Sequence, residues 1–422
     1  MANGELHIGA RQVWGGTQPF GISAENRRRH LYAIGQTGTG KSTLLKTCVA
    51  QDIAAGEGVA LIDPHGDLID EVLELVPGWR VDDVILLDPS DRDHVVGFNP
   101  FYRVAADEQA LVASNLVASF RHVWSDSWGP RLEYILYNCV AALLAAPDPC
   151  RASFLALPRL LVDGEYRRRV VMQVRDPRVH SFFVDEFERW NERQVAEALA
   201  PVQNKIGQVI GNPQVRNVLS QWHPRLHLDR VLARRQILLV RLPKGQLGAD
   251  PANLLGSLLV AGIFHAGMRR EDPSTRVPFH VYIDEFQNFT TDAFASILSE
   301  ARKYAVTLTL GHQYLEQLLP SVRSAVLGNV GSMLVFRVGA EDASFLAAEL
   351  GDIAPGVLRD LKQGEVITRL TEAHRIAQAF RGLVEPSACP VGSASAVRCK
   401  SRRTFARPRE QVEKNIGRWL AS

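Results

Sequence analysis

Short runs rich in Val, Ile and Leu recur along the chain, each bounded by Gly, Pro or Asp and followed by residues at helical spacing. They are HLYAIG (30–35), GVALIDP (58–64), VILLDP (84–89), QILLVRLP (236–243), FHVYIDE (279–285), VTLTLG (306–311) and SMLVFRVG (332–339). Strands apolar on both faces that alternate with helices predict a mostly parallel sheet covered on each side, an α/β domain. The alternation stops between about Arg103 and Arg230. There DEQALVASNLVASFRHVW and NERQVAEALAPVQNKIGQVIG keep helical periodicity with no convincing strand, which predicts an all-helical insertion. Beyond Arg369, HRIAQAFR (374–381) reads as an edge strand and PSACPVGSASAV (386–397) as a small-residue linker before a basic tail. The expected organisation is an N-terminal segment at 1–30, an α/β domain from 31–102 and 231–385, a helical insertion at 103–230, and a basic tail with a short helix at 386–422.

Composition narrows this little. A chain of 422 residues with 46% hydrophobic content can bury a full core and divide into two or three lobes. Its 48 Lys and Arg against 46 Asp and Glu leave a net charge of +2, so only a local patch could mark a polyanion partner. The five cysteines, Cys48, Cys139, Cys150, Cys389 and Cys399, form no CxxC pair, which argues against a disulfide framework or zinc site and fits a reducing cytosol. The first 20 residues lack the apolar core of a signal peptide. YILYNCVAALLAA (134–146) and LLGSLLVAGIFHAGM (254–268) fall short of the roughly 20 residues that span a bilayer and read as core helices of a soluble protein.

The chemistry begins at AIGQTGTGKSTLL (33–45). Gly35, Gly40, Lys41 and Ser42 satisfy G-x-x-x-x-G-K-[ST] directly after a strand and before an amphipathic helix. In that context the glycines would let backbone N–H groups wrap the phosphates at the positive end of the helix dipole, with Gly35, Thr37, Gly38, Thr39, Gly40, Lys41, Ser42 and Thr43 as the expected nucleotide-binding residues. Lys41 would neutralise β- and γ-phosphate charge, and the Ser42 hydroxyl would ligate Mg²⁺. A base-reading NKxD motif of GTPases is absent, since QNKIG (203–207) lacks the Asp, so ATP is the expected nucleotide. VYIDEF (281–286) supplies the acids: Asp284 to hold Mg²⁺ through water and Glu285 to polarise the attacking water. The competing reading is that these acids cap the next helix. At least three strand candidates separate the two motifs and VTLTLG follows them, an arrangement matching ring-forming ATPases with an additional catalytic strand. Gln313, after that later strand, is placed to sense the γ-phosphate; its alternative is a surface glutamine without a role.

GQTGTGKST, ALIDPHGDLID, LLDPSD, GFNP, VYIDEFQNF, SEARKYAVTLTLGHQYLEQL and VFRVGAEDA occur in order, and the chain resembles the HerA/FtsK superfamily of P-loop ATPases. Within it the similarity is to the soluble motor domain of type IV secretion conjugative coupling proteins, the TraD/TraG-like group, over about Leu31 to Arg381. The resemblance implies a RecA-like ATPase domain with a helical insertion, a homohexameric ring with ATP at its interfaces, and DNA passing through the pore. It also aligns Arg302 with an arginine finger that reaches a neighbour's ATP; Arg337 is the rival for that role, and a solvated helix charge is the plain alternative for Arg302. Asp63, His65 and Asp67 of DPHGD could couple nucleotide state to a neighbour or to DNA, or could shape a turn and cap the helix that follows.

The chain departs from the pattern too. Coupling proteins usually begin with transmembrane helices and HerA proteins with a β-barrel, and neither is legible here. The expectation is a cytoplasmic protein, brought to the inner membrane only by a channel, relaxase or adaptor partner. DNA would be gripped at its phosphate backbone, with Arg27 to Arg29, Arg167 to Arg169 and RCKSRRTFARPR (398–409) as candidate clusters. The leading function is an ATP-driven DNA translocase for conjugative transfer. Its alternatives are a DNA-processing motor in repair or phage defence with a nuclease partner, a secretion ATPase acting on protein, and a slow ATP-switched scaffold.

Overall fold

All seven apolar runs form strands, because each is short, apolar and cut off by a turn residue, and eight further strands accompany them among the described residues. The computed structural model describes residues 5–146, 152–270, 272, 276–291, 293–351, 353–372, 375–386 and 391–421, so Cys150, Cys389 and His374 lie outside the described residues. The strands are β1 (Leu6–Val13), β2 (Gly16–Ile22), β3 (Leu31–Ile34), β4 (Gly58–Asp63), β5 (Val84–Leu87), β6 (His94–Val96), β7 (Ile237–Arg241), β8 (Phe279–Ile283), β9 (Val306–His312), β10 (Ser332–Val335), β11 (Glu365–Arg369), β12 (Thr371–Glu372), β13 (Arg375–Ile376), β14 (Phe380–Val384) and β15 (Ala406–Pro408).

Eleven of these make one sheet in the order β2-β1-β14-β11-β10-β3-β9-β8-β4-β7-β5. The run from β10 to β7 is parallel, and β11, β14, β1 and β2 continue it antiparallel. In the parallel part β3, β4, β8, β9 and β10 are buried along their whole length, as expected for strands covered on both faces. Strand β9 lies between β3 and β8, with Ile34 opposite His312 and Ile283 opposite Leu310. The ends of three parallel strands that carry the motifs are therefore adjacent, which is where ligands bind in open α/β sheets.

The chain divides into two compact units. The first comprises 1–86, 228–241 and 266–401 and holds the sheet; the second comprises 87–227, 242–265 and 402–422. The second unit is thus wider than the insertion expected at 103–230. It is also not purely helical, since β6 and β15 pair antiparallel in it, Ala406 opposite Val96. Among the described residues of 103–230 there is no strand. An aromatic stack of Trp124, Phe120 and Phe154, with ring centroids 5.6 and 5.7 Å apart, lies in its core.

Three expectations change. The N-terminal segment is not a separate arm: alternation in LHIGARQV buries Leu6 and Ile8, and the hairpin β1–β2 extends the sheet through β14. HRIAQAFR is not an edge strand, because Arg375–Ile376 closes a small hairpin with Thr371–Glu372 and Phe380–Val384 lies between β11 and β1. The basic tail is folded, with helix Ala394–Phe405, β15 and helix Arg409–Leu420 in place of one short helix. The stretch 254–268 belongs to a 20-residue helix, Ala249–Met268, long and apolar enough by composition to cross a membrane; 67% of its apolar window is buried in the protein, the pattern of a core helix. The described cysteines, Cys48, Cys139 and Cys399, are free.

Candidate active site

The loop 35–40 leaves β3 and is fastened to both neighbouring strands. The Gly35 N–H donates to the His312 carbonyl at 3.1 Å, and the Gln36 N–H to the Arg337 carbonyl at 2.9 Å. A Cβ on Gly35 would come within 2.5 Å of Phe336 Cβ, so the loop can lie this low only with glycine there. Gly38 and Gly40 have φ of +76° and +124°, a region that L side chains avoid. Thr39 is buried with its hydroxyl donating to the Gln36 carbonyl at 2.7 Å, which leaves Gln36, Thr37 and Gly38 as an exposed crown.

Helix Lys41–Ala54 starts at Gly40 with no side-chain cap and no acid in its first turn. Four amides at a helix start lack intrahelical partners, and here the sequence supplies neither a side chain to take them nor a negative charge to offset the dipole. Lys41 folds back over the loop, its Nζ donating to the carbonyls of Gly35 at 2.5 Å and Gln36 at 3.2 Å. Burial lowers its pKa, opposed by the charges of Glu285 and Asp284. Ser42 is exposed and Thr43 half-buried at the same helix start.

Opposite stand the acids that end β8. The Asp284 N–H is held by the Ile62 carbonyl at 3.0 Å, and the side chains of Asp284 and Glu285 are 5% and 6% exposed. Burial, with Glu285 and Asp63 nearby, pushes the Asp284 carboxyl up to about 6 against the opposing pull of Lys41. A Cβ on Gly311 would meet Asp284 Oδ1 at 2.8 Å, so this strand position must be glycine for the carboxylate to lie beside β9. Glu285 has φ +47° and ψ +50°, a left-handed conformation costing a non-glycine residue roughly 1–2 kcal/mol. Its neighbours hold it there: Gln313 Nε2 donates to Oε1 at 2.7 Å, Gln287 Nε2 to Oε2 at 2.8 Å, and Asn288 Nδ2 to the backbone carbonyl at 2.7 Å. Glu285 does not cap a helix through its side chain, and Gln313 is no idle surface glutamine.

A buried bridge ties the loop's helix to the acid strand from behind. Arg27 grips Asp52 through two bonds of 2.7 and 2.6 Å, and the Tyr282 hydroxyl donates to Asp52 Oδ2 at 2.5 Å. Burial alone would raise the Asp52 carboxyl, but His280 and Arg27 hold it below the usual value.

The model for the type IV secretion-system coupling protein DNA-binding domain matches residues 14–354. The chain belongs to this family. Its fold is that of solved coupling proteins: the bacterial conjugative coupling protein TrwBdeltaN70 in its unbound monoclinic form is 16% identical, with 91% of this chain and 90% of that one covered and a TM-score of 0.63. The plasmid coupling protein TrwB in complex with ADP and Mg²⁺ gives 16% identity, 91% of each chain and 0.62. VirB4 of Thermoanaerobacter pseudethanolicus gives 13% identity, 92% and 98% coverage, and 0.56. Identities this low show a shared fold. No curated protein matches the chain.

Other candidate residues of this coupling-protein chain scatter. Arg302 is exposed in the turn Ala301–Tyr304 that enters β9, at the end opposite Gln313. Seven strand residues at about 3.3 Å each put it roughly 20 Å from its own acids. It lies instead near His30, whose pKa burial, with a smaller push from Arg302, lowers to about 4. Arg337, exposed just past β10, sits beside its own loop, since its carbonyl holds Gln36. Asp63 accepts the N–H groups of His65 at 2.8 Å and Ile69 at 3.3 Å, so it shapes the turn. The N-cap of helix Asp67–Leu73 is Gly66, with φ +100°, and Asp67 is its first helical residue; His65 and Asp67 are exposed.

Each basic cluster spends part of its charge on internal partners. Arg27 is the buried partner of Asp52, and Arg167 donates to the carbonyls of Leu160 and Leu161 while lying over Phe187. In the tail, Arg398 pairs with Asp70, Lys400 with Asp82, Arg402 with Asp91 and Arg409 with Glu413, while Arg407 donates to the His223 carbonyl. It is not a free cationic arm. The residues the sequence left unremarked are Gln287, Asn288, Gly311 and His312. QN after the acid pair was a visible polar signal, but nothing local tied it to Glu285.

Proposed function

We propose that this chain is the ATP-hydrolysing motor of conjugative DNA transfer, a homohexamer that draws DNA by its phosphate backbone through a central pore. The observation that carries the reading is the grip on Glu285: a strained carboxylate held by two amides, beside a second buried carboxylate and under a buried lysine. Strain kept in place by three neighbouring side chains is the signature of a preorganised catalytic group.

The residues fit ATP and Mg²⁺. The uncapped, acid-free start of helix Lys41–Ala54 offers its amides to phosphate oxygens. Ser42 and Asp284 would hold Mg²⁺, which supplies positive charge for the phosphates. Among the described residues no group of three or more His, Cys, Asp or Glu side chains is arranged to hold a metal alone, so phosphate and water would complete its coordination. The nucleotide complexes of TrwB support the same ligands. Gly35, Thr37, Gly38, Thr39, Gly40 and Thr43 line the cradle, Lys41 neutralises charge, and Glu285 orients and deprotonates the attacking water. Gln313, already bonded to Glu285, reports the γ-phosphate to it.

Arg302 we assign to a neighbour's ATP, supported by its distance from its own acids; Arg337 then acts within its own subunit. The helical part of the second unit is assigned to cargo or adaptor recognition, and a partner would recruit this cytoplasmic motor to the channel. The test is ATP turnover by purified protein at low salt with and without DNA. Stimulation by DNA, loss of turnover in Arg302→Ala, and its rescue in rings mixed with Lys41→Ala support the reading. Equal turnover in both conditions removes the translocase and favours protein as substrate.

A further inference from the structure

His312 touches both the phosphate loop and the segment that carries the acid pair but has none of the assigned roles. Its carbonyl accepts the first amide of the phosphate loop, Gly35 N–H, at 3.1 Å. Its peptide continues into Gln313, whose amide grips Glu285 at 2.7 Å. Its fully buried ring packs edge-on to Phe286, the residue after Glu285, with centroids 5.2 Å apart. Finally, Nδ1 is hydrogen-bonded at 2.8 Å to the hydroxyl of Tyr32 on β3, the strand that delivers the loop.

The ring is held by little else. Nε2 has no hydrogen-bond partner among the described residues. Of the two neutral tautomers, Nε2–H with Tyr32 donating leaves one polar group of the pair unmatched, whereas Nδ1–H would leave both Nε2 and the Tyr32 proton unmatched; the first is favoured. Burial, together with the nearby Lys41 charge, lowers the imidazole to about 3, so it stays neutral at any working pH. It is therefore unsuited to proton transfer, and its use must be geometric.

We propose that His312 is a positioning residue, which together with Tyr32 ties the state of the phosphate loop to the placement of Glu285 through Gln313 and Phe286. A phosphate entering the loop acts on Gly35, and Gly35 is anchored on the His312 peptide. Because that peptide leads directly into Gln313 and the ring is wedged between Tyr32 and Phe286, displacement on one side is passed to the carboxylate on the other. The contacts form one contiguous network with a residue of each of the two motifs at its ends. The inference rests on the ATPase reading above.

The experiment compares wild type, Tyr32→Phe, His312→Phe and their double variant by steady-state ATP hydrolysis and by affinity for a non-hydrolysable ATP analogue. Tyr32→Phe removes one oxygen and keeps the packing. We expect kcat to fall about tenfold in each single variant with KM and analogue affinity within about twofold, and the double variant to be no slower than the slower single. Should His312→Phe fail to fold, Tyr32→Phe decides alone. Unchanged kcat in Tyr32→Phe, losses that multiply in the double variant, or a raised KM with intact kcat would overturn the proposal. A wild-type chain that binds ATP without hydrolysing it counts against the proposed function instead. The inference is then decided by the crystal structure of Tyr32→Phe, supported if the Gln313–Glu285 bond is lost and overturned if it stays at its 2.7 Å length.

Discussion

The nucleotide site and the segment 398–409 are both rich in charge, yet the fold treats them in opposite ways. At the site charges are buried and left poorly compensated: Asp284 is pushed up to about 6, Lys41 is pushed down, and the helix start has no capping side chain. In the C-terminal segment five of the basic side chains already have protein partners, four of them carboxylates. The difference teaches how to read a charged stretch. A site built for a ligand keeps electrostatic work undone until that ligand arrives, whereas a structural segment finishes it during folding.

The largest test of this contrast is removal of the uncompensated groups. Lys41→Ala and Glu285→Gln should each lower kcat by at least about 10³-fold, with the second still binding ATP, in steady-state hydrolysis and analogue-binding assays. If Glu285→Gln turned over near the wild-type rate, the preorganised carboxylate would lose its meaning. Next comes Gly311→Ala, whose added Cβ would displace the Asp284 carboxylate. Misplacement by about 1 Å can cost about 10² in rate, so kcat should drop that far while thermal unfolding stays nearly cooperative and native-like.

A third test uses protons. The folded Asp284 pKa of about 6 lies above the ordinary carboxylate value of 3.8, so the folded chain binds more protons than the unfolded one between those values. Without Mg²⁺ its contribution to stability is therefore present at low pH and lost as pH rises through about 6. Mg²⁺ must displace that proton, so nucleotide-dependent Mg²⁺ affinity should fall about tenfold per pH unit below 6 and level off above it. Isothermal titration from pH 5 to 8, set against Mg²⁺ binding to free nucleotide, checks this, and Asp284→Asn should leave only the dependence of the nucleotide's own phosphate, which also titrates at about pH 6.

The smallest effects belong to the C-terminal segment. Its ion pairs are partly exposed, so Lys400→Ala or Arg402→Ala should change stability by no more than about 1 kcal/mol in chemical denaturation. Because the charges are already paired, the salt slope of DNA affinity should also be unchanged; a fall of about 1 per substituted residue would show that the segment grips phosphate after all.

The glycine-rich loop and the acid pair were legible in the sequence as motifs, while their roles stand as proposals. Gly35, Gly38, Gly40, Lys41, Asp284 and Glu285 owe their placement to backbone rules that act within a few residues: positive φ, a helix start, and a strand that ends in acid. The same locality explains the seven apolar runs and the helices of the insertion. Locality also explains the errors. The hairpin β1–β2 is polar at its tip and reads as loose until β14 is seen beside it, and HRIAQAFR looks peripheral until β1 closes over it.

By itself, then, the sequence determined that an α/β sheet would present a nucleotide loop to a pair of carboxylates, since each piece is specified by its immediate neighbours along the chain. Only the tertiary structure decided that β9 lies between them, bringing Gln313 onto Glu285, clearing Gly311 for Asp284 and setting His312 between Tyr32 and Phe286. It also decided that the basic C-terminal segment would meet acids. Among these pairings Gln313 and Glu285 lie 28 positions apart and Arg398 and Asp70 lie 328 apart, and such separations leave no trace in local composition because any complementary side chain brought there by the fold would serve.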